Sequence, residues 1–208
     1  MHLLARRLIA GLRTRAVHGS LLLGLLLATP LAGQTPRPES PTTEERVVSS
    51  FLLNCLYYGQ WPAALDWQSN KVARIGILGK NLLGDTLRTV ADDFQGRRFP
   101  EGQIIITNSL NPADLADCHV IYVVESGAPP VAKVIEAFAG RPVILVSASK
   151  GFVDLGGTLE LHLEPGKPPR WDLNLDQLSA SRVLLGSPMK ARASLLLENG
   201  RRILNKPR

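Results

Sequence analysis

Hydrophobic and polar positions along this chain change period several times, and each change marks an element. From Glu44 to Tyr58, apolar Val47, Val48, Phe51, Leu52 and Cys55 recur at helical spacing, with Thr42 or Thr43 placed to cap the start. Trp61-Pro62 ends this helix, because the residue before a proline is driven out of the helical region. Val72 to Leu78 is a short run of branched residues closed by Gly79, which predicts a strand. Leu82 to Phe94 then sets Leu83, Leu87, Val90 and Phe94 on one helical stripe. The alternation repeats with a strand at Gln103–Thr107, a helical turn opened by Asn111-Pro112 and a strand at His119–Val124. A helix at Val131–Phe138 and a strand at Pro142–Val146 follow. Continuous apolar strands between helices predict a parallel sheet covered on both faces.

After Val146 the period becomes two. Leu159, Leu161 and Leu163 alternate with Thr158, Glu160 and His162; Trp171, Leu173 and Leu175 alternate with Asp172 and Asn174. The turn EPGKPP joins the two runs, which predicts an antiparallel hairpin with one solvated face. Gly151 and the pair Gly156-Gly157 precede it, where glycine accepts the positive φ of a tight corner. A helix near Asp176–Leu184 and an amphipathic one over Pro188–Leu204 are expected to close the domain. The expected class is therefore α/β: a three-layer, Rossmann-like, mostly parallel sheet with a C-terminal antiparallel hairpin and closing helices.

The N-terminal residues follow a different grammar. Arg6, Arg7, Arg13 and Arg15 precede the apolar run Leu21–Leu27, and small residues follow at Ala28, Ala32 and Gly33. This order predicts a cleaved signal peptide over 1–33 and export to the periplasm. A proline-rich leader is expected over 34–43 and a single domain over 44–208. Charge changes with this reading. The chain carries 24 Lys+Arg against 18 Asp+Glu, and removing the four signal arginines leaves a formal excess of two. With no basic stripe interleaved with aromatics, no nucleic-acid partner is expected.

Candidate chemistry is sparse. The segment ILGKNLLGD opens a helix after a strand, but Arg74 stands where a Walker loop needs its first glycine, and Asn81 follows Lys80. Ser147 and Ser149 lack the nucleophile-elbow glycines. Glu160, His162 and Glu164 share one strand face, which reads first as the solvated side of a hairpin. No catalytic residue, cofactor or metal site is expected. Cys55 and Cys118 leave two readings open, a disulfide or two buried thiols.

The order of landmarks carries more than any single motif. FLLNCLYYGQWP, RIGILG, DCHVIYV, PVILVSASKGFVDLGGTLELHL and RWDLNLDQL, in that sequence, resemble the YfiR family of periplasmic proteins over about Glu44 to Leu204. The resemblance is most specific at Gly151, Phe152, Gly156, Gly157, Trp171, Asp172, Asn174 and Leu175. It implies a non-enzymatic regulator that inhibits an inner-membrane diguanylate cyclase, or a related sensor, through its periplasmic domain. It further implies an outer-membrane lipoprotein as a second partner, and a homodimer. Phe152 and Trp171 are the aromatic anchors to look for at such a contact, against the alternative of burial under the closing helices, with Asp172 and Asn174 as the better exposed polar candidates. Three features depart from the family. Many relatives carry a cysteine in the first strand where Gly76 stands, so the usual partner of Cys118 is missing. Ala148 and Ser149 replace an acidic residue, and SPMKARA is more basic than the family's closing segment. The rival reading is a periplasmic small-molecule-binding module, with a ligand near Gly79, Asn81, Glu125 and Ser147.

Overall fold

The computed structural model describes residues 42–205. The signal peptide and nearly all of the proline-rich leader lie outside these residues. The first helix, α1 (Thr43–Tyr58), begins with a reciprocal cap: Thr42 Oγ1 accepts the Glu45 N–H and the Glu45 carboxylate accepts the Thr42 N–H, both at 3.2 Å. The two-residue strand β1 (Gly59–Gln60) and the short α2 (Trp67–Asn70) lead into β2 (Val72–Leu78). Then come α3 (Thr86–Arg98), β3 (Gln103–Ser109), a 3-10 turn at Pro112–Leu115 capped by Asn111, β4 (Val120–Val123), α4 (Val131–Ala137) and β5 (Ile144–Ser147).

These strands lie in the order β3-β2-β4-β5 and are parallel throughout, as the alternating pattern predicts. The helix expected from Leu82 starts only at Thr86. Gly84 takes φ +52°, and the Asn81 side chain accepts the Leu83 N–H at 3.0 Å, so the chain turns here before the helix can begin.

Past β5 the sheet continues through β6 (Leu159–His162) and β7 (Arg170–Asn174), an antiparallel pair whose first strand is parallel to β5. Helix α5 (Leu175–Ala180) is shorter than expected, and Leu184 belongs to β8 (Leu184–Leu185), which pairs with β1. The long closing helix is replaced by α6 (Ser187–Arg192) and a second hairpin, β9 (Leu195–Glu198) and β10 (Arg201–Leu204). The cause is the turn. Asn199 and Gly200 adopt φ 51° and 68°, the left-handed pair of a two-residue hairpin loop, and the Asp176 carboxylate accepts both of their N–H groups at 2.8 and 2.9 Å. Arg201 and Arg202 thus stand on an exposed edge strand rather than at a helix end. Strand β9 pairs with β7 in parallel and completes an eight-stranded sheet.

Each strand's period of two sorts its side chains between two cores. Ile75, Ile77, Val120, Tyr122, Ile144, Val146, Leu159, Leu161, Trp171 and Leu173 face α1, α3, α5 and α6. Ile121, Val123 and Leu145 face the other way, toward Leu115, α4 and Phe152. Cys55 lies in the first core and Cys118 in the second, both as free thiols, so the two do not form a disulfide. Burial pushes both thiols up, Cys118 to about 11.

Candidate functional site

The segment from Lys150 to Gly157 wraps beneath the end of the sheet. Gly151 and Gly156 take φ +80° and +103°, and the Gly157 N–H closes the turn onto the Phe152 carbonyl at 2.9 Å. A β-carbon on Gly157 would fall 2.2 Å from the Phe152 ring. The glycine pair therefore makes the turn and leaves space for the ring it folds over. Phe152 is fully buried in the second core, so it is a packing residue and not a surface anchor.

Trp171 is buried too, its ring 5.1 Å from that of Phe51 and its Nε1–H donating to the Met189 carbonyl at 3.1 Å. Its remaining edge lines a groove of about 580 Å³ between α1 and α6, walled by Val47, Phe51, Pro168, Pro188 and Met189. Arg46 and Arg192 sit at the same groove.

Asp172 and Asn174 do lie opposite Trp171 on β7, yet neither is exposed: they retain 7 % and 4 % of their surface. The face expected to be solvated is covered because the hairpin is internal, with β5 and β9 on either side and the Lys150–Gly157 turn against its back. Asn174 serves the fold. Its Nδ2 donates to the Val153 carbonyl and its Oδ1 caps α5 by accepting the Gln177 N–H, both at 2.9 Å.

Asp172 and Glu160 are direct cross-strand partners on that buried face. Glu160 retains 2 % of its surface, and one of its oxygens accepts the Val153 N–H at 3.4 Å. His162, at the end of β6, sets Nε2 3.2 Å from Asp172 Oδ2 and Nδ1 3.9 Å from Glu160 Oε1. The third residue of the expected strand face, Glu164, turns outward to Lys167 and Arg170, and these ion pairs hold its carboxyl below the usual range. The structure so replaces Glu164 by Asp172, which sequence pattern could not foresee because cross-strand register is absent from a linear reading. The three residues line a cleft of about 680 Å³.

At the carboxyl ends of the parallel strands, the expected ligand groups are turned to internal use. Ser147 Oγ donates to the Val123 carbonyl at 2.8 Å, and Asn81 holds its own turn. Gly79, at φ +115°, packs so closely on the Val124 carbonyl that a β-carbon would stand 2.7 Å from it. Glu125 remains exposed beside them. His119 is a structural clamp: Nδ1 accepts the Arg74 N–H at 3.0 Å and Nε2 donates to the Leu65 carbonyl at 2.9 Å. Burial holds its pKa below the ordinary histidine value.

Among the described residues, no helix is long and apolar enough to cross a membrane. The family model described as YfiR/HmsC-like matches residues 45–190. No curated protein matches the chain. Among solved structures, a conserved domain protein from Vibrio cholerae O1 biovar El Tor is 14 % identical, with a TM-score of 0.46 over 76 % of this chain and 61 % of that one. A Streptococcus pneumoniae ABC domain in complex with L-Trp is 10 % identical, with a TM-score of 0.44 over 71 % and 61 %. The chain thus spans about three-fifths of the length of each.

Proposed function

The chain belongs to the YfiR/HmsC-like family, and from that premise we propose that it is a periplasmic regulator that represses an inner-membrane diguanylate cyclase or related sensor by direct contact. Membership supports a regulatory role in cyclic-di-GMP signalling, and the family match over residues 45–190 is the observation that carries this reading. The basic, then apolar, then small-residue order of residues 1–33 supports export. The protein acts without turnover. It binds one state of the receptor's periplasmic domain more tightly and biases the receptor's equilibrium by that difference in affinity. An outer-membrane lipoprotein that sequesters the regulator would release the cyclase, and a homodimer is the assembly the family resemblance implies.

Crosslinking in the host envelope tests this. A photo-reactive residue placed at Arg46 or Arg192, beside the groove that Trp171 lines, should capture a membrane protein with a periplasmic domain. Deletion of the gene should raise cyclic-di-GMP. Unchanged cyclic-di-GMP in the deletion strain, with no membrane partner captured from either position, would refute the reading.

A further inference from the structure

Two carboxylates directly opposite each other on neighbouring strands repel, and burial strengthens the repulsion. Glu160 and Asp172 stand in this relation, with side chains 3 % and 10 % exposed. The fold does little to neutralise them. Glu160 has the single long bond from the Val153 N–H, and among the described residues the Asp172 carboxylate receives no hydrogen bond from outside the cluster. The cations on the same cleft are engaged elsewhere or apart: Arg170 with Glu164 at 2.7 Å and Arg202 with Asp154 at 3.1 Å, while Lys150 pairs with neither buried carboxylate. What does face them is the imidazole of His162, about a third exposed at the mouth of the cleft.

We infer that Glu160, His162 and Asp172 form a binding site for a divalent metal ion of the zinc class. One donor atom from each residue lies within 4.8 Å of the other two. Ligand atoms about 2.0–2.2 Å from a tetrahedral zinc are separated by roughly 3.3–3.6 Å, so side-chain rotations that draw these donors together would bring them onto one ion. The donor set narrows the choice to imidazole-binding divalent ions, zinc among them. An imidazole nitrogen with two carboxylate oxygens suits zinc, whereas calcium requires six to eight oxygens and magnesium favours carboxylates, phosphates and retained waters. Three protein ligands leave a fourth position toward the open cleft for water. The ion would neutralise the two carboxylates where they are buried, and His162 gives it a solvent-facing entry.

The test is zinc binding by the untagged chain, followed by calorimetry and by the ligand-field spectrum of the cobalt-substituted protein. One Zn²⁺ per chain is expected, with cobalt bands typical of low coordination number and little response to calcium or magnesium. His162→Gln and Asp172→Asn should each weaken zinc binding by at least about tenfold. His162→Gln changes a partly exposed side chain and should leave the fold intact, which circular dichroism verifies. Failure to bind zinc, or zinc binding that both variants leave unchanged, would overturn the site.

Discussion

A cysteine at position 76 should form a disulfide with Cys118, and the expected gain can be worked from the geometry. Gly76 lies in β2, and a β-carbon built there would sit 3.2 Å from Cys118 Sγ. In a relaxed disulfide the β-carbon of one residue is about 3.0 Å from the sulfur of the other, so little backbone movement is needed. The bridge would close a loop of about 40 residues, which in the chain-entropy model stabilises the folded state by about 4 kcal/mol. The new side chain also meets Ile121 Cγ1 and Leu115 Cδ1 at 3.2 Å. That crowding costs about 1–3 kcal/mol whether or not the bond forms. Reduced Gly76→Cys should therefore be less stable than the parent, and the oxidised form more stable than the reduced by about 4 kcal/mol. For a domain of this size the difference is about 8–16 °C in Tm. Thermal and urea melts with and without reductant read it directly, with mass spectrometry to count free thiols. The parent should not respond to reductant, because Cys55 and Cys118 belong to separate cores. Two free thiols at 76 and 118 after oxidation, or an oxidised form no more stable than the reduced, would show that the β2–Cys118 approach is misjudged.

Other perturbations have equally definite outcomes. His119 is held neutral by one accepted and one donated hydrogen bond, and its folded pKa lies below the ordinary value; the unfolded chain therefore takes up a proton first. Stability should be full above about pH 6.5 and fall as pH drops below it, and His119→Gln should flatten that slope in urea melts at pH 7 and pH 5.5. Gly157→Ala should drive a methyl into the Phe152 ring and destabilise by about 1–3 kcal/mol or more, while Phe152→Ala should cost about 3–5 kcal/mol by leaving a cavity. Asn174→Ala should cost about 1–3 kcal/mol, since it removes the α5 cap and leaves the Val153 carbonyl without its side-chain donor.

The parallel half of the sheet was legible because its strands are apolar on both faces and its helices carry apolar stripes. Val72–Leu78 is found with the expected bounds, and the other strands of that half shift by no more than two residues at either end. The C-terminal part was harder for two separate reasons. In LLLENGRRIL the apolar residues also fit a helical stripe, and that periodicity hides the two-residue turn at Asn199-Gly200. At β6 and β7, strict alternation tells which side chains share a face but not whether another strand or turn covers it. Asp172, Asn174 and Glu160 were therefore expected in water and are found inside. The meeting of Glu160 with Asp172 depends on cross-strand register, which the spacing of residues within each strand does not contain.

The parallel pairing of β9 with β7 has a consequence for how the molecule is made. Asn205, just after β10, donates from its side chain to the Lys190 and Ala193 carbonyls at 2.9 Å, tying the end of the second hairpin back to α6 and the residue after it. Strand β7 therefore obtains its outer neighbour only when residues 195–204 arrive. A chain emerging N-terminus first can assemble β2 to β6 while β7 still presents an unpaired edge to its surroundings. Residues 195–205 act as a latch, and premature termination in this segment should yield a species prone to self-association before it yields one that is merely unstable.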